Sequence, residues 1–116
     1  MGTMLVTYHQ AGQPGGGTTQ PVIRLPGATT ERVTTSGTSA RTTGAAPQGP
    51  SGKKTDGGFA TVFAIGANLF VVSGTGTPTA AYPAAGASGN GSAVLSGQSI
   101  TFAVKPGEKI AAIEFT

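Results

Sequence analysis

The chain has 116 residues, room for one domain and not for two. Only 9% of them are charged, against roughly 25% in ordinary soluble domains, while Gly 20 and Pro 8 push the composition toward low complexity. The net charge of +3 comes from dispersed Arg24, Arg32, Arg41, Lys105 and Lys109 plus one adjacent pair, Lys53 and Lys54, so there is no basic patch of the kind nucleic-acid binders carry.

Taken in chain order, the pattern predicts strands and no helix, because Gly, Thr and Pro interrupt nearly every helical window. Residues 3–9 (TMLVTYH) are short, β-branched and aromatic. Residues 10–20 (QAGQPGGGTTQ) form a connector whose three successive glycines resist ordering. A second strand, 20–26, is bracketed by Pro21 and Pro26 and suits an edge or an extended arm. Residues 29–47 are Thr- and Ser-rich and predict two short strands around Ser36-Gly37, followed by an exposed loop over 48–58 (QGPSGKKTDGG).

From Phe59 the chain becomes more apolar. FATVFAIG puts Phe59, Thr61, Phe63 and Ile65 on one face, Val62 and Ala64 on the other, and NLFVVSG (68–74) opposes Leu69 and Val71 to Phe70 and Val72. Gly66-Ala67-Asn68 is short enough for a hairpin, and this pair is the expected core. Both faces being apolar suggests strands covered on both sides or a sheet folded over itself. A loop of small residues spans 75–92, containing a turn signal at Asn90-Gly91. Strands at 92–98, 99–105 and 108–116 follow. Between the last two, Lys105-Pro106-Gly107-Glu108 has the chemistry of a type II turn, Pro presetting its second position and Gly the positive φ of its third. The last two strands are therefore expected to pair as a hairpin.

Chemistry-bearing residues are few. The single histidine, His9, borders the glycine-rich connector, and the single aspartate, Asp56, lies in the 48–58 loop. A serine triad would have to anchor both in flexible sequence, against the preorganisation such catalysis needs. Glu108 and Glu114 stand six residues apart on one strand, roughly 20 Å, beyond the spacing of a glycosidase pair. Residues 47–55 imitate a phosphate-binding loop, but Pro47 stands where the motif needs Gly and Lys54 where it needs Ser or Thr. SGTGTPT (73–79) departs from G-x-G-x-x-G at Thr79. Without cysteine there is no disulfide framework and no thiolate metal site, and carboxylates are too scattered for a calcium loop. No stretch reaches the ~20 apolar residues of a membrane span. MGTMLVTYHQ lacks the features of a secretory signal, and Val6 breaks a myristoylation motif. The expectation is a soluble, unprocessed non-enzyme with no cofactor and no metal.

The order ERVTTSGTSARTT, FATVFAIGANLFVVSGTGTPTA, SAVLSGQSITFAVKPGEKIAAIEF resembles small head decoration (cement) proteins of tailed bacteriophages. The closing Val104, Pro106, Gly107, Lys109, Ile110, Ala111 and Ile113 carry most of the likeness, which covers roughly residues 31 to 116. The resemblance implies an all-β fold: a small antiparallel β-sandwich or barrel (29–116) with long Gly/Thr/Pro-rich loops. It also implies residence on the outer surface of the virion, non-covalent binding to the major capsid protein, and, by analogy, a homo-oligomer, favoured as a trimer, with no nucleic acid or membrane partner. Residues 1–28 lie outside the likeness and are expected to be an extended N-terminal arm reaching a neighbour or an added strand of the same sheet. The expected capsid or subunit contacts are Leu5, Val6, Tyr8, Val22, Ile23, Arg24 and Leu25 in that segment, with Lys53 and Lys54 in the loop. The alternative is a receptor- or glycan-binding module of a phage tail or fibre, against which stands the absence of Trp and the presence of only Tyr8 and Tyr82 for stacking on sugars.

Overall fold

A computed structural model of the chain describes the backbone of residues 1–12, 22–47 and 58–116, and the side chains of 1–9, 29–47 and 58–116. The chain forms β1 (Gly2–Gly12), β2 (Val22–Thr35), β3 (Ala40–Arg41), β4 (Gly58–Ile65), β5 (Asn68–Thr75), β6 (Ser92–Val94), β7 (Ser99–Val104) and β8 (Glu108–Phe115). They assemble into two antiparallel four-stranded sheets, ordered β2-β1-β4-β7 and β3-β8-β5-β6. The protein is a small all-β sandwich. Lys53 and Lys54, with residues 48–57 of the expected 48–58 loop, lie outside the described residues.

Alternation along each strand divides the residues between core and surface. From the first sheet, Met4, Val6, Tyr8, Val33, Ala60, Val62, Ala64 and Val104 point inward. Leu69, Val71, Val94, Ile110 and Ala112 meet them from the second. The inward positions of β4 are small, and this leaves space for Met4 and Tyr8 on the neighbouring β1. The face carrying Phe59, Phe63 and Ile65 turns outward, so of the strand pair expected to be the core, β4 contributes only Ala60, Val62 and Ala64.

For the first segment, one of the two expected alternatives is observed in β1. β1 is neither an arm nor an edge: it pairs with β2 on one side and with β4 on the other, Val6 opposing Glu31 and Val62. Val6 and Tyr8 are buried in the core and cannot be contact residues. Of the two alternatives for residues 1–28, the strand of the same sheet is the one observed for β1. β2 is the edge strand, as Pro26 suggests, with an irregularity opposite Tyr8/Gln10.

Neither expected hairpin exists. β4 pairs with β1 and β7, whereas β5 pairs with β8 and β6. β7 belongs to the first sheet and β8 to the second. The turns themselves are as expected: Gly66 and Gly107 adopt positive φ (78° and 87°), and Glu108 N–H donates to the Lys105 carbonyl at 3.2 Å. Turn chemistry dictates that the chain reverses, not whether it returns beside itself or across the core. Both edges of β4 and both edges of β8 are occupied by distant strands, so the connected neighbour must cross to the facing sheet.

The second sheet is covered on its outer face by its own loop. Tyr82 stacks on Phe115 (centroids 4.4 Å, planes at 8°) and meets Phe70 edge-on at 5.6 Å. Ala80 is buried there, its N–H donating to Ser39 Oγ at 2.9 Å. This accounts for the two apolar faces of β5.

Two polar ties join the sheets. Tyr8 reaches through the core, its hydroxyl hydrogen-bonding Thr42 Oγ1 at 2.9 Å and donating to the Gly44 carbonyl at 3.2 Å. Thr42 is bound in turn to β8, its N–H donating to the Ile110 carbonyl at 2.8 Å and its Oγ1 accepting from the Ile110 N–H at 3.2 Å. Burial pushes the Tyr8 pKa up, against a smaller opposing effect of the Thr42 bond. At the other end, the Glu114 carboxylate accepts from Gly2 N–H at 2.6 Å and Thr35 Oγ1 at 2.7 Å, linking β8 to β1 and β2.

Replacing Tyr8 by Phe leaves the buried Thr42 hydroxyl with one partner fewer, which should cost about 1–3 kcal/mol; urea titration is expected to show a lower midpoint with unchanged slope. The Thr35 bond first, and the Gly2 bond after it, hold the Glu114 carboxyl below its ordinary value of 4.5. A depressed carboxylate stabilises the fold above that value and ceases to do so as pH falls through the folded-state pKa. The melting temperature should therefore drop below pH ~4.5, and Glu114→Gln should lower it at neutral pH while flattening the acid limb.

Candidate functional surface

The outer face of the first sheet, unlike that of the second, has no described segment packed across it. Its composition follows from the register. Thr30, Thr7, Thr61 and Thr101 lie opposite one another across β2, β1, β4 and β7, making one row of threonines across all four strands. The adjacent row is Arg32, Leu5, Phe63 and Ser99, and beyond it stand Thr34, Thr3 and Ile65. On the opposite side of the threonines are His9, Phe59 and Ala103.

The threonines satisfy one another. Thr7 and Thr30 hydroxyls are 2.9 Å apart, as are those of Thr61 and Thr101. His9 Nε2 hydrogen-bonds Thr61 Oγ1 at 2.9 Å. Close pairs alternate with a wider one between Thr7 and Thr61, as expected where narrow non-hydrogen-bonded and wide hydrogen-bonded pairs alternate in an antiparallel sheet. Hydroxyls already paired lose less on leaving water than free ones.

Phe63 and Ile65 are 39% and 45% exposed beside this row, with Leu5 half-buried between Phe63 and Arg32. Arg32 is the one charged side chain among the described residues of the face. Glu31 is turned the other way, its carboxylate accepting from Thr43 and Gly44 N–H at 2.6 and 2.9 Å. The face is broad, nearly uncharged and built of threonines with apolar side chains beside them, a chemistry suited to close contact with another surface.

Of the contact residues expected from the sequence, Leu5 alone is placed on this face. Val22, Ile23 and Arg24 pair through their backbone with Gly12, Ala11 and Gln10 at the far end of β2, and Leu25 follows them; their side chains lie outside the description. Phe63, Ile65, Thr7, Thr30, Thr61 and Thr101 were not expected as surface contacts. The alternation of FATVFAIG does carry the signal, for the bulkier face holds Thr61 in its midst. Among the described residues, no three His, Cys, Asp or Glu side chains gather as metal ligands.

Because Phe63 and Ile65 are surface residues, Phe63→Ser and Ile65→Ser should each change stability by less than about 1 kcal/mol, checked by thermal melts. No protein-family model, no curated protein and no solved structure matches this chain.

Proposed function

We propose that the protein is a non-enzymatic structural component of a bacteriophage virion, decorating and stabilising the outer capsid surface through non-covalent binding to the major capsid protein. The observation that carries this reading is the outer face of the first sheet, across which no described segment packs and on which Leu5, Phe63 and Ile65 flank the self-satisfied threonine row. In this reading the face lies flat against the capsid. Its apolar side chains contribute burial at roughly 25 cal/mol per Å², and its paired hydroxyls and low charge, Arg32 alone among the described residues, keep the desolvation cost low. A modest contact suffices where the capsid repeats the site many times and neighbouring copies reinforce one another. The sequence resemblance to head decoration proteins favours the same reading, and nothing in it calls for a cofactor.

The test is to add purified protein to undecorated capsids and image them. Many ordered copies on the shell are expected, with Phe63→Lys plus Ile65→Lys reducing occupancy at least about tenfold, as for charges forced into an apolar contact. Copies confined to the tail, or full occupancy by the double variant, would contradict the proposal.

A further inference from the structure

Edge strands are a liability, and natural sheets blunt them by shortening, charge, proline or bulges. Three of the four sheet edges here follow that rule. β3 has two residues and β6 three, while β2 carries Pro26, Glu31, Arg32 and an irregular register. β7 does not. SITFAV is regular over its whole length, uncharged and free of proline, and among the described residues its second edge pairs with nothing.

The space beside that edge is open. A cleft of about 600 Å³ separates β7 from the facing sheet, lined by Ile100, Thr101 and Phe102 on one side and Val72, Ser73 and Ser92 on the other. Ile100 and Phe102 are only half-buried, packed against the core yet uncovered toward the cleft.

The direction of the free backbone groups can be read from the pairing. Ala64 N–H donates to the Gln98 carbonyl, so in this register Ile100, Phe102 and Val104 turn their backbone groups toward β4. The 2.9 Å contact between Thr61 and Thr101 agrees, because side chains come closest at non-hydrogen-bonded pairs. Ser99, Thr101 and Ala103 therefore present N–H and C=O outward.

We propose that the chain associates with a second copy of itself about a two-fold axis, by antiparallel pairing of β7 with β7 in the register that sets Thr101 opposite Thr101. In that register Ser99 bonds Ala103, and Ile100 meets Phe102 on the inner side, so apolar faces apolar and the outward groups find partners. Charge is compatible: β7 has none, and Lys105 falls opposite Gly97 instead of its own symmetry mate. The competing register centred on Phe102 would require Lys105 N–H, which already donates to Glu108 Oε1 at 2.6 Å. The threonine rows of the two copies then run on as one, doubling the candidate contact face, although the pairing does not depend on what that face binds.

The experiment is sedimentation equilibrium across a concentration series. Wild type should show a monomer–dimer equilibrium. Thr101→Lys, which sets two ammonium groups opposite each other at the axis, should raise the dissociation constant at least about tenfold. An equimolar mixture of Thr101→Lys and Thr101→Glu should restore dimer. Ala103→Pro, removing an outward N–H without touching a core side chain, serves as the second variant if Thr101→Lys does not fold, with circular dichroism confirming strand content. A wild type that stays monomeric at the highest soluble concentration, or a dimer or trimer indifferent to these substitutions, overturns the proposal.

Discussion

The structure depends on where β1 lies. It is the strand that both β2 and β4 need, and it contributes Met4, Val6 and Tyr8 to a core whose other members are largely Ala and Val. Tyr8 is the largest of the fully buried side chains, and its hydroxyl can be buried only because Thr42 and Gly44 receive it. Since Thr42 is also hydrogen-bonded to Ile110, one side chain ties the middle of the first sheet to the middle of the second. A chain with so few large apolar residues has little core to spare, and removing this tie affects both sheets together.

The same constraint creates the candidate surface. With Met4, Val6 and Tyr8 inward, pleating turns Thr3, Leu5, Thr7 and His9 outward. Small inward residues on β4 likewise place Phe63 and Ile65 outside. The second sheet makes use of its 76–91 loop and Tyr82 to cover its outer apolar side chains, whereas no described segment does this for the first. Among the described residues, the two faces of one small sandwich thus differ, one closed by the 76–91 loop and the other with no segment packed across it.

Much of the local structure was legible in the sequence. The strands at 58–65, 99–104 and 108–115 fall within a residue or two of expectation, and the Pro106-Gly107 turn has the φ its chemistry requires. What did not follow was pairing. A Pro-Gly turn specifies a reversal, and whether the returning strand pairs locally depends on which edges distant strands occupy. The long-range placement of β1 was hidden for a related reason: the glycine-rich connector after it reads as a tether, yet loop closure costs rise only slowly with length. Val6 and Tyr8 were therefore assigned to a contact although their alternation with Leu5 and Thr7 is that of a half-buried strand. The threonine row could not be seen before the register, since its four members come from four strands.

The central claim is that the outer face of the first sheet is the binding surface, and side-chain footprinting reads it directly. Hydroxyl-radical oxidation of the free protein should modify Phe63, Ile65, Tyr82 and Leu95, all exposed. On decorated capsids, Phe63 and Ile65 should become protected while Tyr82 and Leu95 remain as reactive as before. Continued oxidation of Phe63 and Ile65 on the particle, with protection appearing at Tyr82 or Leu95 instead, would contradict the account.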